Sequence, residues 1–256
     1  MPTPSLQDRL RIRKPWIVAH RGDRVRCPEN TFAAFRAAFE ADVDMLEMDI
    51  QLTLDRRLIV IHDPGLERTT DGTGRVNGRT LEEIKKLDAG RWFDVRFTGE
   101  PVPTPEEVLD LFGGRVLINF EIKKEALEAD GPADAVERQL VALVEERRLL
   151  DSVLISSFEW RVLESIRRDR SDVSLAFITK NPGEEGLPGR CRSLGIFSVH
   201  PNWLFLQKEH VARMHEAGIA VFPYRVDRAD EFRCALAAEV DGVISDDPRI
   251  AQGARG

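Results

Sequence analysis

Apolar runs rich in β-branched residues recur along the chain, at WIVAH (16–20), MLEMDIQL (45–52), RVLINFEI (115–122), VLISSF (153–158), VSLAFI (173–178), IFSVH (196–200), AVFPYRV (220–226) and GVISD (242–246). Between many of them lie segments whose apolar residues fall at helical spacing, such as Phe32, Phe35 and Phe39, or Val136, Leu140, Val141 and Val144. Strand and helix in such alternation predict a parallel sheet with helices outside it. Eight strands are the number that closes a ring, so the expected fold is α/β, a TIM (β/α)8 barrel. An open doubly wound sheet is the competing architecture, but the glycine-rich dinucleotide turn expected after its first strand is absent.

A ninth run, LIVIH (58–62), follows its predecessor after only Thr53 to Arg57. That link is too short for a parallel crossover and predicts an antiparallel hairpin at the barrel mouth. Residues 63–114 are long for one strand-to-helix connection and carry Gly and Asp punctuation at 71–78, with Thr80 or Thr104 as helix caps. They read as a small insertion after the second strand, over the site. Nothing else in the composition marks a boundary, so residues 1–256 are expected to form a single domain.

The 42% hydrophobic and 32% charged residues are enough for a sizeable core and too ordered in pattern for a disordered chain. A formal net charge of -7 argues against a general nucleic-acid or membrane-surface binder. Cys27, Cys191 and Cys234 are odd in number and scattered, which suggests reduced thiols and a cytoplasmic setting. The amino-terminal stretch is basic but lacks the apolar segment of a secretory signal, and no run approaches a membrane span, so no stable membrane insertion is expected. The sequence is silent on oligomeric state.

Barrel active sites are built from strand ends, and several apolar runs end in polar residues. The first ends in His20-Arg21-Gly22-Asp23, the second carries Glu47 and Asp49, the hairpin ends in His62-Asp63, and the run at 115–122 leads through Glu121 to Lys123. Glu47 with Asp49, and Glu121 with Lys123, are two residues apart, so each pair shares one face of its strand. A single pair of this kind commonly ends in ion pairs with Arg or Lys. Three acids converging inside a barrel would instead repel one another without a cation. Oxygen donors suit one hard divalent ion, Mg2+ or Ca2+, with Mn2+ also admitted.

His20 and His62 could move protons to and from a reacting group. Arg21 and Lys123 add positive charge that favours a phosphodiester over a neutral ester. Asn30 precedes Phe32 as a candidate helix N-cap. Trp203 and Phe205 offer either an apolar wall for a glycerol or lipid moiety or plain core packing.

These residues resemble the glycerophosphodiester phosphodiesterase family through His-Arg-Gly at 20–22, Pro-Glu-Asn-Thr at 28–31, the block 41–49, and His-Asp-Pro at 62–64. The likeness continues through 66–74, Pro-Thr-Pro-Glu-Glu-Val-Leu at 103–109, Glu-Ile-Lys at 121–123, Ser-Ser-Phe at 156–158 and 240–248. The resemblance implies a TIM barrel that hydrolyses glycerophosphodiesters to glycerol 3-phosphate and an alcohol. It further implies Glu47, Asp49 and Glu121 as ligands of the divalent metal, His20 and His62 as the acid/base pair, and Arg21 and Lys123 on the phosphate, with Asn30 at the metal end. Where the family usually shows Trp-Thr-Val-Asn, this chain has Tyr224-Arg225-Val226-Asp227, so Arg225 is expected to tune the preference for the alcohol. A lysophospholipase D type of reaction on lysophospholipids and a non-catalytic phosphate-binding barrel are the rival readings. The second would be favoured by loss of a histidine or carboxylate, and none is lost.

Overall fold

All nine apolar runs form strands: β1 (Trp16–His20), β2 (Met45–Leu52), β3 (Leu58–Val60), β4 (Leu117–Ile122), β5 (Val153–Ser157), β6 (Ser174–Thr179), β7 (Ser198–Pro201), β8 (Ala220–Val221) and β9 (Gly242–Ser245). The computed structural model describes residues 6–12, 14–128 and 131–251. The first five residues of the basic amino-terminal stretch lie outside them. Eight strands run parallel in the order β8-β7-β6-β5-β4-β2-β1-β9. The ring closes just past β8, where Ile244 donates to the Pro223 carbonyl at 2.9 Å and Val226 donates to the Ile244 carbonyl at 3.1 Å. The fold is therefore the expected TIM barrel. The hairpin is as expected too, because β3 pairs antiparallel with β2 through Ile50 and Val60.

Alternation along each strand sorts side chains into two cores. One set points into the barrel, where Trp16, Val18, Met45, Leu117, Leu154, Phe222 and Ile244 plug its lower end. The other set faces outward and packs on the helices: Phe35 and Ala38 of α2 (Phe32–Glu40), Leu140 and Val144 of α5 (Val136–Glu146), and Leu163 and Ile166 of α6 (Trp160–Asp169). Each of the larger apolar side chains among them contributes about 1.5–3 kcal/mol on burial. The remaining helices are α1 (Leu6–Ile12), α3 (Leu81–Ile84), α4 (Pro105–Phe112), α7 (Leu187–Ser193), α8 (Lys208–Glu216) and α9 (Ala229–Ala237). No helix among the described residues is long and apolar enough to cross a membrane.

The stretch 63–114 divides physically. Leu66, Val76, Ile84, Ala89 and Val102 close a small core against Ile59 and Ile61, whereas Val108, Leu109 and Phe112 of α4 pack into the main shell. Both threonines cap helices as expected, each in a reciprocal box, Thr80 with Glu83 and Thr104 with Glu107. The three cysteines are unpaired.

Candidate active site

His20 ends β1, and Arg21 turns the chain away with φ 59°, followed by Gly22 at φ 83°. A Cβ on Gly22 would sit 2.6 Å from the backbone carbon of Ala34 in α2, so only glycine lets strand end and helix touch there. The turn directs the Arg21 amide to Glu47 Oε2 at 2.9 Å. It also brings the Arg21 guanidinium within 2.8 Å of Glu29 and 3.1 Å of Asp49.

Glu47 and Asp49 share the inner face of β2, and Asp49 is in register with Glu121 on β4. One oxygen from each of the three acids lies within 4.8 Å of the others, and all three residues are buried. Burial, reinforced by the neighbouring charges of Asp49 and Glu121, pushes Glu47 well above the usual carboxylate range. Burial and Asp49 likewise raise Glu121. Burial opposes ionisation of Asp49 as well, but the charges of Arg21 and Lys123 outweigh it and hold that acid low. The cluster thus sets one acid that is held low beside two whose protons are bound more tightly than usual. Glu47 Oε1 and Asp49 Oδ1 make no hydrogen bond within the described residues. The all-oxygen donor set and these spare lone pairs fit a hard divalent ion.

Convergence and ion pairing, alternatives in the sequence, are both present. Lys123 Nζ lies 2.6 Å from Glu121 and 3.3 Å from Asp49. Asn30 departs from its expected capping role: the cap of α2 is Thr31, whose hydroxyl accepts from the Ala34 amide. Asn30 instead adopts φ 56° and donates Nδ2 to Asp49 Oδ2 at 2.9 Å. An asparagine tolerates that left-handed backbone, and its amide is thereby aimed at the acid.

Both histidines are held through Nδ1 by an aspartate at 2.5 Å, His20 by Asp246 and His62 by Asp63. Burial lowers the His20 imidazole to about 4 and lowers His62 also. Asp246 lies 3.6 Å from Arg24 and 3.2 Å from Arg225, and Asp63 is paired with Arg68. Arg24, Arg68 and Arg21 all converge on Glu29, each at 2.8 Å. Burial works against that charge, but the guanidinium groups hold the Glu29 carboxyl down at about 2. One buried carboxylate thus ties together the supports of both histidines. Gln51 adds a mechanical clamp, donating to the carbonyls of Ile61, His62 and Asp63 at 3.1, 2.9 and 2.7 Å.

Sequence reasoning missed Asp246, Glu29, Arg24, Arg68 and Gln51 as parts of this assembly. Asp63 stood out beside His62, while Glu29, Arg68 and Asp246 fell inside blocks of the family resemblance without a role being read for them. The mouth above the acids is a cavity of about 280 Å³ lined by His20, Arg21, Lys123, Phe158, Tyr224 and Arg225, among others. Trp203 and Phe205 are not part of that lining. Trp203 packs on the main core and Phe205 is exposed, while the aromatic wall is the edge-to-face pair Phe158 and Tyr224.

The sequence pattern of the glycerophosphoryl diester phosphodiesterase family matches residues 20–250. A glycerophosphodiester phosphodiesterase of Caldanaerobacter subterraneus subsp. tengcongensis is 38% identical over 92% of this chain and 95% of its own length. Among solved structures, an Oleispira antarctica phosphodiesterase in complex with the product sn-glycerol-3-phosphate superposes with a TM-score of 0.83 at 26% identity, covering 94% of this chain and 96% of that one. A glycerophosphodiester phosphodiesterase from Agrobacterium tumefaciens gives 0.77 at 28% identity, covering 92% and 97%. With that pattern spanning the barrel from His20 onward, and a relative this similar across nearly its whole length, the chain belongs to the glycerophosphoryl diester phosphodiesterase family.

Proposed function

We propose that the chain hydrolyses glycerophosphodiesters to glycerol 3-phosphate and an alcohol, with Glu47, Asp49 and Glu121 holding one divalent ion and His20 and His62 moving the protons. The observation that carries this reading is the meeting of three buried carboxylates within 4.8 Å beside two imidazoles that are each oriented by an aspartate. When bound, Mg2+, Ca2+ or Mn2+ supplies Lewis-acid polarisation of a phosphoryl oxygen. Arg21 and Lys123 attract the anionic diester and stabilise the charge that accumulates on its nonbridging oxygens. Asn30 fixes the direction of Asp49 at the metal end. With Nδ1 engaged, Nε2 is the nitrogen each histidine offers to a substrate. One imidazole takes the proton of the attacking hydroxyl as the new P–O bond forms. The other gives a proton to the departing alkoxide as the old P–O bond breaks, its aspartate supporting the charged ring against the pull of burial. The three unpaired thiols support a cytoplasmic setting.

A second reading has one observation behind it. A groove of about 620 Å³ runs from His62 and Lys123 past Phe158, Phe177 and Ile178, and could take the acyl chain of a lysophospholipid. A panel of glycerophosphocholine, glycerophosphoethanolamine and lysophosphatidylcholine, assayed with each of the three metals and with chelator, separates the two. The first reading expects the two glycerol diesters to be cleaved far faster than the lipid, and chelator to abolish all turnover. Undiminished rates in chelator would count against any metal-dependent reading. Repeating the panel with Arg225→Thr is expected to shift the ratio between the two head groups, since Arg225 lines the mouth; identical ratios would remove that residue from substrate choice.

A further inference from the structure

Between the carboxylates and the apolar plug lies a tier of neutral polar residues that the chemistry above does not use. Asn119 stands two residues before Glu121 on β4, Ser156 on β5 is in register with Glu121, and His200 lies on β7. They are 1%, 0% and 2% exposed. Asn119 and His200 line the same cavity as Glu47 and Glu121. Ser156 shares the inner face of its strand with Leu154 of the plug.

Asn119 Oδ1, Ser156 Oγ and His200 Nδ1 have no hydrogen-bond partner within the described residues. The opposite nitrogen of His200 is 3.0 Å from the Ser198 hydroxyl, which fixes the ring. Buried polar atoms are almost always satisfied, so the unmatched atoms of Asn119 and His200 on the cavity wall, with the unmatched Ser156 hydroxyl buried on the strand beside Glu121, mark a surface that a ligand completes. The tier carries no charge, because burial lowers His200 to about 3 and leaves its imidazole neutral. Its atoms therefore suit a group that both donates and accepts a hydrogen bond, which describes an alcohol hydroxyl, and they supply no charge to pair with an ammonium or carboxylate.

We infer that Asn119, Ser156 and His200 form a polyol subsite that seats the free hydroxyls of the substrate's glycerol arm at the barrel floor, directing the other alcohol toward the groove beside Phe158. This rests on the hydrolase reading. It also makes an acyl ester on the glycerol unwelcome, since Met45, Leu117 and Leu154 close the floor below.

Binding separates this inference from catalysis. Calorimetric titration of the Ca2+-loaded protein with sn-glycerol 3-phosphate and with n-propyl phosphate compares ligands that differ only in two hydroxyls. The glycerol compound is expected to bind at least about tenfold more tightly, because a site built for hydroxyls penalises their loss. That gap is expected to shrink severalfold in Ser156→Ala and, separately, in His200→Leu. Equal affinities for the two phosphates in the unsubstituted protein, or a gap untouched by both substitutions, would overturn the inference. Lack of glycerophosphocholine turnover alongside a clear hydroxyl preference would overturn the hydrolase reading and leave the polyol subsite standing.

Discussion

Asp246 shows how much depends on a residue 226 positions from its partner, since it engages Nδ1 of His20 and leaves Nε2 as the free ring nitrogen at the cavity. Asp246→Asn keeps the size of the side chain but cannot hold an imidazolium. It is expected to lower kcat about 10²- to 10³-fold with little change in KM, in line with the worth of a positioned proton donor or acceptor. Steady-state kinetics with glycerophosphocholine provide the check, and an unchanged kcat would refute the role. His200 sets a different test. Its folded pKa of about 3 lies below the unfolded value near 6.5, so the unfolded chain takes a proton that the fold refuses. The associated stability is intact above pH 6.5 and is lost as pH falls from there toward 3, at up to about 1.4 kcal/mol per pH unit. Denaturant unfolding at pH 7, 6, 5 and 4 is expected to show a steeper decline for the natural chain than for His200→Asn; parallel curves would mean the ring is not buried neutral.

The candidate site was legible where local chemistry announced it and not where topology made it. Glu47, Asp49, Glu121, His20 and His62 stood out because charged or imidazole groups interrupt apolar strands. Asp246 and Glu29 did not, since nothing in a linear pattern says which distant acid meets which histidine or arginine. Asn119 was equally silent, because a small polar residue inside an apolar run reads as ordinary variation, and Ser156 entered only within the Ser-Ser-Phe block, with no role attached. Asn30 was misread as a cap because Asn and Thr are both good N-caps, and one position separates the capping role from the acid-binding one.

At the scale of elements, the strand pattern was legible throughout because each strand is buried on both faces and needs a continuous apolar run. The hairpin followed from loop length alone. What the pattern withheld is how the pieces are locked. The end of β1 meets α2 at Gly22, where a methyl group would overlap the Ala34 backbone and φ is positive. Gly22→Ala is accordingly expected to destabilise the fold by about 2–4 kcal/mol, through overpacking combined with backbone strain. A denaturation midpoint within experimental error of the natural chain would contradict this close approach. The stretch between β3 and β4 illustrates the limit of reading boundaries from composition. Its first part has its own small core, while α4 belongs to the outer shell of the barrel, a division that only the packing reveals.

Across the whole molecule, parallel strands bring every carboxyl end to one mouth, so short clusters of residues from four strand ends and a hairpin meet although the clusters lie far apart in sequence. The charge arrangement follows from that convergence. A net charge of -7 overall coexists with a mouth where Arg21, Arg24, Arg68 and Lys123 are set among buried acids. That local balance suits one anionic diester and one cation rather than a polyanion.

Metal-dependent hydrolysis by this chain requires Glu47, Asp49 and Glu121, which converge within 4.8 Å, to act as one cation site. Its most direct test is the rate of glycerophosphocholine hydrolysis by Glu47→Gln against the natural chain at saturating divalent ion. The substitution keeps the shape and removes one charged ligand, so kcat is expected to fall at least about a thousandfold, the equivalent of several kcal/mol of lost transition-state stabilisation. A folded Glu47→Gln protein that turns over at the natural rate would contradict a cation site built on these three acids.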